Sequence, residues 1–427
     1  MANPWIQWPT FNTGLDFKDH KVFRTGDIIN CKEEMIYDVL ENNGISVAAL
    51  SAFNANNNTK NPCYFIPDPW TKTPASGSKD LIRLYDALCQ VTDDYAKNKI
   101  AFSAAINLIL GGLPNLQWKN IGGYIKGVYQ YFIKKRIWFR AVVCDQLLAD
   151  TYITQWKKHQ PDFSTLFLNS GAHLQHHYLF SSPHYSGPRT SPGWQVDKGL
   201  DPLYDSLKLY DDIVGDLVEN FGDQRIIIMS GLRQPPHERE TYYYRIDDHD
   251  AFLQEIGLSY KNSYRLMTED FILEFDSDEE AAKAEQKLSE VATVDRNDLF
   301  YVETGDKEHK TLNTAGNVFH IENRGNSLYI QLKPSSKSIT TETKVRSGNV
   351  VVENFQNLVS FAQFKNTHHE STGYYSDNAK IKGELPSSFP LRYIFPMILD
   401  NFGITDKNPK RHIMENRDKL LINASNQ

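Results

Sequence analysis

The chain has 427 residues, of which 40% are hydrophobic and 23% are charged, and its formal net charge is −7. This balance is typical of a globular protein with a large core and excludes an intrinsically disordered chain. The negative charge argues against a general nucleic-acid-binding protein, because neutralising phosphates requires a basic surface. The four cysteines form no CxxC pair, which excludes the zinc-ribbon and thioredoxin classes and favours free thiols in the cytoplasm.

The first half of the chain alternates predicted helices and strands. Pro4 suits the first turn of a helix with Asn3 as its N-cap, and that helix runs to Gly14. The elements predicted after it are a helix over 31–44, a strand over 45–50, helices from 78 and over 139–160, a strand over 162–169, a helix over 201–222 and a strand over 225–231. Because predicted helices and strands alternate along the chain, we expect an α/β fold with a doubly wound, mostly parallel sheet flanked by helices. Such a sheet needs a strand before the helix at Asn3, so we expect either a missing upstream segment or a sheet that lacks one central strand.

Two apolar segments precede the helix at 139. The run AFSAAINLILGGL, from Ala101, is too short to cross a membrane and predicts a buried helix or a surface hairpin. Residues 124–140 interleave basic and aromatic residues, a pattern found both in helices at a membrane surface and in solvated helices with snorkelling lysines. We favour the solvated helix and keep peripheral membrane contact through 124–140 as the alternative.

The pattern of apolar and polar residues changes from about Leu258. Short strands are predicted at DFILEF (270–275), DLFYVE (298–303), NVFHIE (317–322) and NSLYIQLK (326–333), with a helix over 276–291. We therefore predict a small α+β insertion over 258–345, whose helix packs across its own strands. The main layer would comprise residues 1–257 and 346–408, with a closing helix in 389–404, and residues 409–427 would form a polar tail.

The stretch FLNSGAHLQHHY (167–178) carries three histidines at the end of a predicted strand. Asn169, His173 and His177 are spaced four apart, so they would share one face of a helix. Histidine is the commonest metal ligand, which makes this run a candidate ligand cluster. The alternative is a set of hydrogen-bonded histidines on a helix that packs beneath the strand ends.

Several segments together resemble the alkaline phosphatase superfamily, in its type I phosphodiesterase/nucleotide pyrophosphatase branch. The resemblance covers most of the chain, and within the superfamily it is strongest to an uncharacterised bacterial group. The segments that carry it are PWIQWPTFNTGL, ISVAALSAFNA, CYFIPDPW, LFLNSGAHLQHHY, IIIMSG, THHESTGYY and FPLRYIFPMILDNFGI. The fold that it implies is the doubly wound sheet expected above.

Enzymes of this superfamily use two metal ions, often zinc, to activate a nucleophile and to hold the leaving oxygen. The resemblance places Asn3 and Pro4 where the family has a Ser or Thr nucleophile, and the nearest hydroxyl is that of Thr10, about two turns into the helix. Gly231 and Leu232 stand in place of the Asp and His of the family's SDHG sequence. A two-metal site cannot be built from these residues.

The resemblance retains three candidate ligands for one metal ion. Asn169 and His173 match the family's D-x-x-x-H pair with Asn for Asp, and His368 matches the histidine before a glycine turn. With His176 or His177 as a fourth ligand, this set is compatible with one tetrahedral zinc ion, and otherwise we expect no cofactor.

The remaining candidate residues lie around the same strand ends. The candidate catalytic residues are Thr10, His176 and His177. The candidate substrate-binding residues are Asn169, Gln175, Arg233, Gln234 and His369. Since the strands over 162–169 and 225–231 open onto one edge of the expected sheet, we predict that His173 and His368 meet there, with Asn169 beside them and Gln234 nearby.

These features lead to two functional hypotheses. The first is an alkaline phosphatase-like hydrolase or transferase that acts on a phosphate or sulfate ester, such as that of a glycan or a nucleotide-sugar, with a rewritten metal site. The second is a catalytically inactive member that serves as a ligand-binding or assembly module. Both predict an anionic small molecule or glycan ester as ligand and no nucleic acid, and the sequence does not predict an oligomeric state.

Overall fold

The computed structural model describes residues 3–24, 26–71, 73–93, 102–238, 240–266, 269–294, 299–300, 316–379 and 388–411, and over these ranges the protein is mixed α/β, which is the coarse class predicted. Its helices are α1 (Pro4–Thr13), α2 (Phe17–His20), α3 (Ile36–Asn42), α4 (Lys79–Asp93), α5 (Phe102–Gly112), α6 (Ile121–Phe132), α7 (Phe139–His159), α8 (Ser170–Tyr178), α9 (Pro202–Phe221), α10 (His249–Glu255), α11 (Asp278–Ser289), α12 (Phe355–Leu358) and α13 (Ile394–Asn401). Its strands are β1 (Val47–Ala52), β2 (Tyr64–Pro67), β3 (Phe163–Leu166), β4 (Ile227–Ser230), β5 (Tyr242–Ile246), β6 (Asn262–Arg265), β7 (Asp270–Glu274), β8 (Ala292–Thr293), β9 (Phe319–Asn323), β10 (Ser327–Leu332), β11 (Val345–Ser347), β12 (Val350–Val352), β13 (Val359–Phe364) and β14 (Tyr374–Asp377).

Helix α1 begins and ends as its sequence predicts. The Trp5 backbone N–H donates to Asn3 Oδ1 at 2.9 Å, and Pro4 needs no such partner because it has no N–H. The helix ends at Gly14, whose φ of 68° lies in the left-handed region that glycine adopts readily. Helix α7 also begins at Phe139 as predicted, whereas α3 begins at Ile36 and not at residue 31.

A three-stranded parallel sheet with the order β2-β1-β3 forms the centre of the first core. Strands β1 and β2 are buried along their whole length, as expected for parallel strands covered on both faces. Ile36, Leu40 and Ile398 cover one face, and Leu81 and Leu148 cover the other. Helices α1, α3 and α13 thus lie on one side of the sheet, and α4 and α7 lie on the other.

Strand β4 does not continue this sheet among the described strands. It pairs antiparallel with β14, and its residues are alternately half-buried and exposed, with Ile228 41% exposed. The expectation of a parallel strand buried on both faces is therefore not met at 225–231. The described strands form five small sheets, and a single doubly wound sheet is not formed by them.

An open slot lies between β3 and β4. Both strands line the same cavity of about 1160 Å³ along their full lengths, together with Tyr152 and Leu217 from the helices on one side and Ile398 from the other. All four residues of β3 are only half-buried, in contrast to those of β1 beside it. Within the described ranges no strand pairs with the outer edge of β3.

A second hydrophobic core surrounds the antiparallel sheet β6-β7-β10-β9. Ala281, Ala284 and Leu288 of α11 pack onto it, so this helix lies across the strands as predicted. The cluster extends from Tyr244 to Val359 and so reaches beyond the predicted insertion, 258–345, on both sides. The strand predicted at 298–303 lies mostly outside the described residues, as does the polar tail from 412 onward.

Helices α5 and α6 occupy the two apolar segments predicted before residue 139. Residues 124–140 do not form one helix, because α6 ends at Phe132 and Lys135 has a φ of 56° before α7 begins. Within the described part of the chain, no helix is long and apolar enough to cross a membrane.

Candidate functional site

A buried carboxylate fixes the turn that joins β3 to α8. Asp145 accepts hydrogen bonds from the backbone N–H groups of Asn169 (3.1 Å) and Ser170 (2.7 Å), and the Tyr210 hydroxyl donates to it at 2.9 Å. The same hydroxyl accepts from the Gly171 N–H at 2.9 Å. These bonds satisfy N–H groups that have no partner within the helix, and they hold the start of α8 against α7 and α9. Burial raises the pKa of Asp145, and the hydrogen bonds oppose that shift.

The three histidines of α8 point in two directions. The rings of His173 and His177 share one face of the helix, with centroids 4.5 Å apart. His176 lies on the other side, where its Nδ1 is 2.8 Å from Thr367 Oγ1 and 3.1 Å from the Thr367 carbonyl oxygen. Its Nε2 is 2.9 Å from Nε2 of His369, so one of these two nitrogens carries the proton that joins the rings.

The chain segments after β4 and β13 lie side by side over α8. Arg233 and Pro236 form antiparallel bridges with Glu370 and Thr367, respectively. This pairing brings the ring of His368 within 5.3 Å of that of His237, measured between centroids. Six imidazoles from three parts of the chain thereby line one cavity: His173, His176, His177, His237, His368 and His369.

Most of the predicted site residues line this cavity, and three of them, Thr10, Gln175 and Arg233, do not. Those that line it are Asn169, His173, His176, His177, Gln234, His368 and His369. Thr10 is buried on the opposite side of α1, where its hydroxyl is 3.2 Å from His20 Nε2. Gln175 donates to the Gln234 carbonyl at 3.3 Å from outside the cavity, and Arg233 is 47% exposed and paired with Glu370 at 2.6 Å.

Six charged residues that line the cavity were not predicted, and two of them, Glu269 and Lys365, lie near the histidines of α8. Glu269 lies beside β7, and its Oε1 accepts from Gln331 Nε2 at 2.8 Å. Lys365 follows β13, with its Nζ 3.4 Å from the Tyr243 hydroxyl and 4.8 Å from the centre of that ring. Both belong to or flank the second core, so the cavity lies between the two cores. No short-range pattern marks these residues, since their neighbours in space are distant in sequence.

Burial determines the charge of the cavity. It lowers the pKa of His173 to about 4, with a further contribution from the positive charge of Arg140. The pKa values of His176 and His177 are also well below the ordinary value, through burial first and then through neighbouring positive groups that include Lys365. Burial, followed by the charge of Asp270, raises the pKa of Glu269 to about 7. At neutral pH the three α8 imidazoles are therefore uncharged, while Glu269 is divided between its two protonation states.

The described ranges contain no group of three His, Cys, Asp or Glu side chains placed to hold a metal ion. Both ring nitrogens of His176 already face hydrogen-bonding partners, and His177 Nδ1 is 3.4 Å from the Phe364 carbonyl oxygen. The zinc ion predicted from the sequence stays a prediction, and no step below depends on it.

Comparisons with known proteins do not assign the chain to a family. No family model matches it, and neither the curated proteins nor the solved structures gave a significant match.

Proposed function

We propose that the protein is a hydrolase or transferase that acts on a phosphate or sulfate ester in the histidine-lined cavity. The observation that carries this proposal is the convergence of Glu269 and Lys365 with the three histidines of α8 in a single cavity. A carboxyl group whose pKa lies near the working pH suits general acid–base catalysis, and an ammonium group beside it suits a negatively charged ester.

In this proposal each group has a defined role. Lys365 contacts the anionic group of the ester, since it is the positive side chain whose field reaches both Glu269 and His176. Protonated Glu269 donates its proton to the leaving oxygen. The His176–His369 pair takes a proton from the attacking water at Nδ1 of His369, because both nitrogens of His176 already face hydrogen-bonding partners. Thr367 positions His176 through Nδ1.

The proposal includes the finer fold predicted from the sequence. A doubly wound core of the alkaline phosphatase type is supported by the parallel order β2-β1-β3, by helices on both faces, and by a site at the ends of β3 and β4. A cytoplasmic location is likewise part of the proposal and is supported by four cysteines that are all free thiols.

The test is an activity screen with an aryl phosphate, a bis-aryl phosphodiester and an aryl sulfate as substrates. Glu269→Gln should lower the rate on the active substrate by about a hundredfold or more, the range expected for loss of a general acid. The matched control is Glu370→Gln, which removes an exposed carboxylate outside the cavity and should leave the rate unchanged. Full activity in Glu269→Gln would contradict the proposed role.

A second candidate is a binding module for the same anionic esters, without catalysis. It is favoured by the placement of Thr10, the only hydroxyl predicted as a nucleophile, away from the cavity. It predicts no turnover of any ester but a rise in melting temperature with phosphate or sulfate that disappears in Lys365→Met. Turnover that depends on Glu269 would exclude it.

A further inference from the structure

Eleven large apolar side chains of α5, α6 and the segments beside them are exposed to solvent. They are Ile106, Ile109, Leu110, Leu113, Trp118, Ile125, Val128, Tyr129, Phe132, Ile133 and Ile137. Trp118 is 89% exposed and Ile125 is 67% exposed, values unusual for side chains of this size. On each of the two helices these side chains form a row, and an exposed apolar surface of this kind marks an interaction site. We call residues 106–137 the apolar segment.

The exposed residues follow helical spacing. On α5 they recur at 106, 109 and 110, with 113 directly after the helix, and on α6 at 125, 128, 129 and 132, with 133 directly after it. This spacing normally marks the face of a helix that packs into a core. Here it marks the face that points away from the protein, so each helix presents its apolar stripe to the surroundings.

Glycines fix this outward orientation. Gly127 of α6 is buried against α7, where an added Cβ would lie 2.4 Å from Val143 Cγ2. Gly111 of α5 packs on α4, and its added Cβ would lie 2.6 Å from the Asp80 carbonyl oxygen. These glycines let each helix approach its neighbour closely, and on α6 Tyr124 and Tyr131 share the inner side while Ile125 and Phe132 stay exposed.

The sequence of this region is basic, although one of its lysines, Lys119, is paired with Asp216 (2.8 Å) and Glu219 (2.6 Å) of α9. Residues 102–140 contain six basic residues (Lys119, Lys126, Lys134, Lys135, Arg136 and Arg140) and no Asp or Glu, whereas the chain as a whole has a net charge of −7. A basic, aromatic-rich, apolar face of this kind fits the headgroup region of an anionic lipid bilayer. A second copy of this acidic protein offers a poorer match, because the same basic patches would meet across a twofold interface.

From these observations we infer that the apolar segment docks the protein onto the surface of an anionic membrane. Its outward side chains enter the interface, and its basic residues other than Lys119, which is paired with Asp216 and Glu219, contact lipid headgroups. Since no described helix is both long and apolar enough to cross a bilayer, we infer a peripheral contact. The inference concerns a surface remote in sequence from the histidine cavity and does not rest on the proposed function.

The test is co-sedimentation of the full-length protein with vesicles of phosphatidylcholine, either pure or with about 30% phosphatidylglycerol as the anionic lipid. We expect binding to the anionic vesicles that weakens when salt is raised from about 0.1 M to about 1 M, because the Debye length falls from about 10 Å to about 3 Å. Binding to neither vesicle, or equal binding to both, would overturn the inference.

The variant that identifies the surface replaces three exposed side chains at once, Trp118→Ser, Ile125→Ser and Ile133→Ser. It should bind anionic vesicles at least about tenfold more weakly, since each buried side chain of this size contributes to partitioning. The matched control replaces three exposed residues elsewhere, Val350→Ser, Val351→Ser and Tyr374→Ser, and should bind like the original protein. Equal loss in both variants would show non-specific adsorption and overturn the inference.

Sedimentation of the protein without lipid tests whether a second copy of the chain, rather than a membrane, covers the apolar segment. If the apolar segment is a contact between copies, the original protein forms a dimer that the Trp118, Ile125 and Ile133 variant does not form, and the membrane inference is overturned. A monomer, together with quenching of Trp118 fluorescence by brominated anionic lipid, supports it. The quenching is measured as the difference between the protein and its Trp118→Phe variant.

Discussion

One buried contact between the two cores centres on the carboxylate of Glu322 on β9. Arg24, from the loop after α2, donates to Glu322 Oε1 at 2.6 Å, and both side chains are about nine-tenths buried, with 10% and 12% exposure. Arg324 donates to the other oxygen at 3.1 Å. The Arg24 guanidinium also stacks on the ring of Tyr329 at 4.6 Å. Arg24 belongs to the first core and the others to the second, so this ion pair holds the two together.

Replacing Glu322 by Gln removes the charge and leaves the Arg24 guanidinium buried without its carboxylate. Breaking a buried ion pair from one side costs about 3–5 kcal/mol, because the remaining charge stays desolvated. The exposed pair between Arg233 and Glu370 serves as a control, since its side chains are 47% and 41% exposed. Glu370→Gln should cost less than about 1 kcal/mol, as is usual for a solvent-exposed pair.

Urea unfolding followed by circular dichroism measures both variants. We expect the urea midpoint of Glu322→Gln to fall well below that of Glu370→Gln. The unfolding transition of Glu322→Gln should separate into two if the cores then unfold independently. Equal midpoints would refute the idea that this pair joins the cores.

The pair of Glu322 and Arg24 also predicts that the free energy of unfolding depends on pH. Burial by itself raises the pKa of Glu322, but the neighbouring His320 side chain and the charges of Arg24 and Arg324 outweigh it and hold that pKa well below its usual range. A depressed pKa contributes stability above the unfolded value of about 4.3 that is lost as the pH falls toward the folded value. The stability difference between the original protein and Glu322→Gln should therefore shrink below about pH 4.

Three further predictions concern the cavity and the slot. The pKa of Glu269 is raised to about 7 in the folded protein. The contribution of protonated Glu269 to the free energy of unfolding is therefore complete below its pKa in the unfolded chain and is lost as the pH rises through 7. The fall in unfolding free energy between pH 5 and 8, up to about 3 kcal/mol, should be absent from Glu269→Gln. The backbone N–H groups of Ser164 and Leu166 face the slot, since those of Phe163 and Phe167 bond to β1, and they should exchange with deuterium faster than those of β1. Metal analysis of the purified protein decides the zinc prediction, and zinc at one equivalent that is lost in His173→Ala would support it.

The parts of the fold that the sequence predicted are those set by neighbouring residues. The cap at Asn3 and the start of α7 depend on groups within a few positions of each other. The run of histidines directly after β3 is also a local feature, and the structure places it at the predicted strand end. In each case the determining contacts lie within one or two turns, where sequence patterns are informative.

The pairing of β4 shows why other parts were not predicted. The run Ile226–Met229 indicates burial, but an apolar run does not name the strand that will lie beside it. Its partner here is β14, about 150 positions away, and the pairing is antiparallel. Glu269 and Lys365 were missed for the same reason, since each enters the cavity only through contacts between the two cores.

The apolar segment shows what a helical pattern leaves open. Helical spacing of apolar residues in 124–140 is compatible with both a solvated helix and a membrane-surface helix, because periodicity reports a face and not what covers it. The deciding fact is the position of Gly127, which is visible in the sequence but acquires meaning only when it is found against Val143. With the glycine face turned inward, Ile125 and Phe132 must lie on the outside. The same residues would be ordinary core residues if α6 were rotated by half a turn, so the orientation of one helix separates a buried apolar face from an exposed one.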